Sequence, residues 1–377
     1  MMAQTDYIKP LMIGELGFGL KTQQQTINAD YSSESFNAAT GLYESDGKDN
    51  NFTFTEYINA AYISYNAKIE KFNIQAGLRG EQAKSVAKLI NENKAFENPY
   101  ISLYPTIHTS YNFNESNEFR LSYTKRINRP NHRNMNPFVD NTDSLNIQVG
   151  NPYLTPEYIH SYEAGYTKTW KAVTLTTGAY YRQINDKIER VRTIDDTGIS
   201  TTMPLNLTQA QSYGTELSLV AEIAKFWNIN TSFDFYRMIT EGTVEYPQLA
   251  NDGYGWNAKA ISNFKIPGGI SAQLTGRYNS KVIVPQGYMI PSYTFDVSAR
   301  RNFLKNKATL SLRVSDILNT QKYGFYNEAG SFISDSWRKP QSRTLYITFS
   351  YRFGKQQMDM KKKRPGMDMG GEEDQGM

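Results

Sequence analysis

The sequence holds no cysteine and only three histidines in 377 residues. The first lack removes disulfides, thiol nucleophiles and thiolate metal sites together. The second leaves His108, His132 and His160 scattered along the chain, with no metal or triad constellation, so no metal, cofactor or catalytic residue is expected. There is no GxxxxGK[ST] phosphate loop and no GxGxxG between a strand and a helix. Nowhere do about 18 apolar residues run uninterrupted, which excludes a helical membrane protein. The first residues, MMAQTDYIKP, lack the apolar centre of a secretory signal. The body contains no linker, so one large unit is expected. A formal net charge of +4, with cations interspersed among acids, argues against nucleic acid as a partner.

What the chain does have is aromatic residues, 27 Tyr and 19 Phe, and alternation. YITFSYRF, Tyr346 to Phe353, places Ile347, Phe349, Tyr351 and Phe353 on one face of a strand and Thr348, Ser350 and Arg352 on the other. Similar alternation gives about fourteen strands, roughly at 10–20, 53–69, 72–83, 100–113, 118–126, 158–170, 173–185, 206–223, 227–240, 254–266, 270–280, 291–303, 308–315 and 342–353. Short turns and long connections alternate strictly between them. Turns fall at 70–71, 114–117, 171–172, 224–226, 267–269 and 304–307; long loops fall at 21–52, 84–99, 127–157, 186–205, 241–253, 281–290 and 316–341. A soluble sandwich has no reason to put every long loop at one end, whereas a transmembrane antiparallel up-and-down β-barrel does.

The faces support the same reading. Phe72, Ile74, Leu78, Ile101, Leu103, Ile107, Phe233, Phe235, Phe295, Leu310 and Leu312 hold one parity. Arg79, Arg120, Glu163, Arg182, Glu216, Asp234, Lys259, Arg277, Asp296, Arg300, Arg313 and Arg352 hold the other. A dry core could not take so many charges, but a wet or plugged lumen can. Lys168 and Arg301 break the lipid parity only where Trp170 and Phe303 mark a strand's short-turn end, and there a cation costs about 0–1 kcal/mol. The last strand also resembles the assembly signal of outer-membrane barrels, carried by Ile347, Phe349, Tyr351 and Phe353. Beyond it, residues 354–377 lose all periodicity and read as a disordered tail on the short-turn side, leaving 1–353 as the barrel.

Three segments carry a family resemblance. GNPYLTPEYIHSYEAGY (Gly150 to Tyr166) looks like the Asn-Pro, Leu, Pro-Glu motif of TonB-dependent outer-membrane receptors. RINRPNHRNMNPFVD (Arg126 to Asp140) and VSDILNTQKYG (Val314 to Gly324) are similar to segments of the Bacteroidetes-type outer membrane β-barrel family. The resemblance implies a barrel of about 22 strands around a plug, energised through a TonB complex. This chain has neither the plug nor the missing strands. It is therefore expected to be the C-terminal portion of a longer receptor for ligand-specific import, inserted in outer-membrane lipid by the barrel-assembly machinery. Ligand-capture candidates in or near the long loops are Arg133, Tyr254, Trp256, Tyr323, Tyr326 and Trp337. A self-contained fourteen-stranded passive channel is the alternative, and a soluble β protein ranks last. The ligand's identity is not written in the sequence.

Overall fold

The computed structural model describes residues 1–207, 209–329 and 332–353. Fifteen strands form one antiparallel sheet in strict chain order: Met2–Pro10, Glu15–Tyr31, Asn50–Ile69, Phe72–Leu89, Lys94–Asn114, Asn117–Asn128, Glu157–Thr169, Val173–Asn185, Gln209–Ala224, Trp227–Thr240, Asn251–Ile266, Ile270–Asn279, Ser292–Phe303, Ala308–Ser315 and Thr344–Tyr351. Each pairs with the strand before and after it, and the sheet is open. Met2–Pro10 pairs only with Glu15–Tyr31, and Thr344–Tyr351 only with Ala308–Ser315, among the described residues. The tail 354–377 lies outside the described residues.

The sequence led us to expect fourteen strands, and the fifteenth is Met2–Pro10. Gln4 and Asp6 share a face with Met2 and Ile8 there, which erases the alternation. Several strands also run well past their expected ends. Glu15–Tyr31, Phe72–Leu89 and Lys94–Asn114 occupy much of what read as loops at 21–52 and 84–99. Where both faces of a strand meet water, the backbone ladder continues while the apolar signal stops.

The short turns lie where the spacing put them. Glu70 turns at φ 50°, and Gly268 and Gly269 turn at φ 86° and 75°, a region open to glycine without steric cost. All long connections sit at the opposite end and carry structure of their own. The loop after Asn128 holds a helical turn, His132–Met135, and a strand, Asn146–Val149, that pairs in parallel with Ser200–Asn206. The hairpin Ile188–Ile194/Ser200–Asn206 rises beside it. A second small sheet joins Val282–Val284, Gly287–Met289, Tyr323–Ala329 and Phe332–Arg338. The two groups are tied by Gln286, whose Nε2 donates to Arg192 O (2.8 Å) while its Oε1 accepts from Arg192 N (2.9 Å).

Register carries one parity unbroken around the sheet. The apolar face leaves Ile101 at 79%, Leu103 at 56% and Phe349 at 62% exposure, far too much for a water-facing wall. The buried apolar cluster lies elsewhere, at the loop end. There Met135 and Leu154 of the long loop pack on Phe52, Phe54, Ala87 and Leu89.

Candidate functional site

The polar face is the concave one. A trough of 1060 Å³ on it is lined by residues that include Arg120, Glu163, Glu216, Asp234, Lys259 and Arg277. Eleven of the twelve charged residues assigned to this face by alternation lie on it in the paired register, and the twelfth, Arg352, follows the end of the last strand. Arg182 stands 3.8 Å from Glu163 and 4.0 Å from Glu216, with its guanidinium 4.4 Å from the Tyr180 ring. Asp296 is bridged by Arg277 (3.3 Å) and Arg313 (3.1 Å) and accepts the Asp316 N–H at 2.9 Å. The arginines of these pairs are about half exposed, so the pairs hold side chains in place more than they stabilise the fold.

Nearer the loop end the polar contacts become buried. Arg129, in the RINRP segment, reaches across the inner wall to Glu81, donates from Nε to Tyr100 Oη (2.6 Å) and lies 3.5 Å from Glu56. Arg79 donates to the other oxygen of Glu81 at 2.6 Å. Glu157, the Glu of the LTPE segment, accepts from Asn128 Nδ2 (2.5 Å) and from the Ile188 N–H (2.6 Å), so it joins two strands to the next loop hairpin. Gly150 leaves room for the chain to fold back: a Cβ there would lie 2.2 Å from Asn136 O. Its N–H donates to that oxygen at 3.0 Å. The motif residues therefore build the rim.

Asp316, in the VSDILN segment, anchors the last long loop. It is 2% exposed and turns at φ 40°. Burial pushes its carboxyl up, but hydrogen bonds from Ser342 Oγ (2.5 Å) and the Gln321 and Thr320 N–H groups (2.9 and 3.1 Å) outweigh that and hold it below the usual carboxylate value.

The ligand-capture candidates do not converge on one place. Arg133 is exposed on the helical turn His132–Met135. Tyr254 and Trp256 belong to the strand Asn251–Ile266, near its loop end, and lie on its apolar face, away from the trough. Tyr254 stacks on Phe235 (5.9 Å between centroids) and Trp256 on Tyr278 (4.3 Å). Tyr323, Tyr326 and Trp337 do stand on a loop hairpin. Tyr326 stacks on Tyr288 at 5.1 Å, and Lys322 lies 5.0 Å from the Trp337 ring. Ile347, Phe349 and Tyr351 share the apolar face, and Phe353 follows exposed. Lys168 sits 5.5 Å over the Trp170 ring. His108 faces the trough, while His160 is on the other face beside Tyr123. No group of three or more His, Asp or Glu among the described residues could hold a metal ion.

The description "outer membrane protein beta-barrel family" belongs to the family model that matches residues 1–351. The chain belongs to this family. It is a protein of the outer membrane of a Gram-negative bacterium, so its apolar face is the lipid-facing one. Comparison with curated proteins gives no match. Among solved structures, the chain is similar to the copper transporter OprC, with a TM-score of 0.69 and 12% identity over 93% of this chain and 56% of that one. It is also similar to the ferric citrate transporter FecA, with a TM-score of 0.66 and 14% identity over 93% of this chain and 54% of that one. For the ferric yersiniabactin uptake receptor FyuA from Yersinia pestis the TM-score is 0.64, at 14% identity over 94% and 54%. The chain thus spans about half the length of each. The resemblance to these transporters and this receptor holds at the level of the fold.

Proposed function

We propose that this chain is the C-terminal barrel wall of a TonB-dependent receptor that imports a specific ligand across the outer membrane. The observation that carries the reading is the pair of unpartnered edges on a lipid-facing sheet. Water is absent from the bilayer core, so each unpaired backbone group there costs several kcal/mol and only closed barrels span it. Among the described residues the register joins Met2–Pro10 and Thr344–Tyr351 only to their inner neighbours. Further strands, about seven for a barrel of 22, would pair both edges. The half-length match to transporters and uptake receptors supports the same arithmetic.

In this reading a plug outside residues 1–353 fills the lumen and meets the TonB complex, and the loop rim takes the ligand. The alternation from Ile347 to Phe353 serves the barrel-assembly machinery. An antibody against 354–377 tests the proposal on native outer membranes. A band near roughly twice the 43.0 kDa of this chain is expected for a 22-stranded, plugged receptor. A band at 43.0 kDa would refute it and favour the self-contained channel.

A further inference from the structure

The wall parts at one place in the middle of the sheet. The ladder between Lys94–Asn114 and Asn117–Asn128 climbs from their short turn to Thr106 opposite Thr124 and ends there. Pro105 would face Lys125 in the next pair, and proline has no N–H to give. Beyond that point, among the described residues, 94–105 pairs only with Phe72–Leu89 and 125–128 only with Glu157–Thr169. The gap is bridged on its lumen side. There the Tyr158 and Ser102 hydroxyls meet at 2.9 Å, and Arg129 Nε donates to Tyr100 Oη.

On the lipid side the gap is bordered by Lys125, with His160 directly opposite it in the register. Lys125 Nζ lies 5.2 Å from the Tyr158 ring, and Tyr123 Oη is 3.0 Å from His160 Nδ1. Just nearer the short turns, Tyr123, Tyr162, Tyr181 and Tyr213 fill one register row of the same face, the aromatic belt that marks a membrane boundary. Lys125 stands eight residues from Asn117 and His160 nine from Thr169, the short-turn ends of their strands, and about 9–11 residues carry a tilted strand across a bilayer. The pair therefore sits at the outer-leaflet surface. Two other cations of this face toward the loop end already hold acids, Lys84 with Glu97 (2.8 Å) and Arg237 with Asp252. Lys125 and His160 have no carboxylate within 4.0 Å among the described residues.

We propose that this gap binds the headgroup of a phosphate-bearing lipid of the outer leaflet, with the phosphate on Lys125 and His160. Parted strands leave backbone N–H and C=O groups that hydrocarbon cannot satisfy, whereas a phosphate and its neighbouring hydroxyls can. Lysine near the membrane surface attracts anionic headgroups, and here no acid competes for it. The lipid's chains would lie over Ile107 and Leu121, exposed on the same face nearer the bilayer core, which a free phosphate would leave uncovered. The site is on the outside of the wall and away from both sheet edges. Neither a plug in the lumen nor strands added at those edges would cover it, so the inference rests on the outer-membrane assignment alone.

The test is native mass spectrometry of the full-length protein in non-ionic detergent, titrated with dioleoyl phosphatidic acid, dioleoyl phosphatidylcholine or inorganic phosphate. One phosphatidic acid is expected to bind before any phosphatidylcholine does. The Lys125→Gln, His160→Gln double variant should lose roughly tenfold in affinity for it. Lys168→Gln, at the short-turn end of the same face, should bind as the wild type does. Heat-modifiable migration on gels confirms that each variant is folded. Equal affinity for phosphatidylcholine, or an undiminished affinity in the double variant, would overturn the site. An equal loss in Lys168→Gln would also overturn it, by showing only a general attraction of belt cations for anionic lipid. So would inorganic phosphate binding as tightly as phosphatidic acid, which would mark a site for a free anion.

Discussion

Removing Arg129 should loosen the rim more than any surface charge could. Its side chain is 15% exposed and its partner Glu81 6%, with Glu56 at 17% as a second carboxylate nearby. Deleting one member of a buried pair leaves an uncompensated charge, typically about 3–5 kcal/mol. Arg79 still contacts Glu81 at 2.6 Å, so the lower end, about 3 kcal/mol, is expected for Arg129→Gln. Glu81→Gln leaves Arg129 with Glu56 and should cost about 2 kcal/mol. The double variant should cost clearly less than the sum, with a coupling energy of about 1–2 kcal/mol. Urea unfolding of the detergent-folded protein, followed by heat-modifiable migration, measures all three. Because Arg129 opens the segment that carries Met135 and Leu154, limited proteolysis should also cut residues 129–156 first in Arg129→Gln. Additivity within about 0.5 kcal/mol would refute the reasoning, since it would mean that the two groups are solvated independently.

Asp316 gives a pH dependence. Its carboxyl is held below the ordinary value of 3.8 in the folded state, so its contribution is present above that value and lost as pH falls through the folded value. Protease protection of the 316–341 loop should therefore fade only in strong acid for the wild type, and be absent at neutral pH in Asp316→Ala. Gly150→Ala would press a Cβ to within 2.2 Å of a carbonyl oxygen, and about 1–3 kcal/mol of rim stability should disappear from the urea midpoint. Phe233→Lys puts a cation on the apolar face in mid-strand and should cost about 2–4 kcal/mol, whereas Lys168→Leu at a strand end should change stability by less than about 1 kcal/mol. Equal costs for those two would contradict the assignment of the lipid-facing side.

Alternation made the wall legible because lipid and lumen impose opposite demands on successive residues. Every charged residue from Arg79 to Arg313 assigned by parity kept its face once the pairing was known. Parity also gives the facing of Tyr254 and Trp256. Lys259 points inward, so the even positions of the same strand, 254 and 256 among them, face lipid. The Glu56, Glu81 and Arg129 cluster was not legible, since it joins three distant segments and no local spacing announces it. The roles of Gly150, Glu157 and Asp316 were half visible: motif segments marked the places, but only the fold-back of the loops showed what each residue touches.

The tie between Gln286 and Arg192 sets a rule for exchanging loops between relatives. Arg192 gives this tie its backbone N–H and C=O, which excludes proline there, while its guanidinium donates separately to Asn146 Oδ1 at 3.1 Å. Position 286 is different, because one side chain must donate and accept at once; asparagine offers the same amide but is a methylene shorter. The 186–205 hairpin and the 281–290 hairpin should therefore be transplanted as a pair. Grafting either one alone would leave a buried amide facing a strand it was not cut to fit.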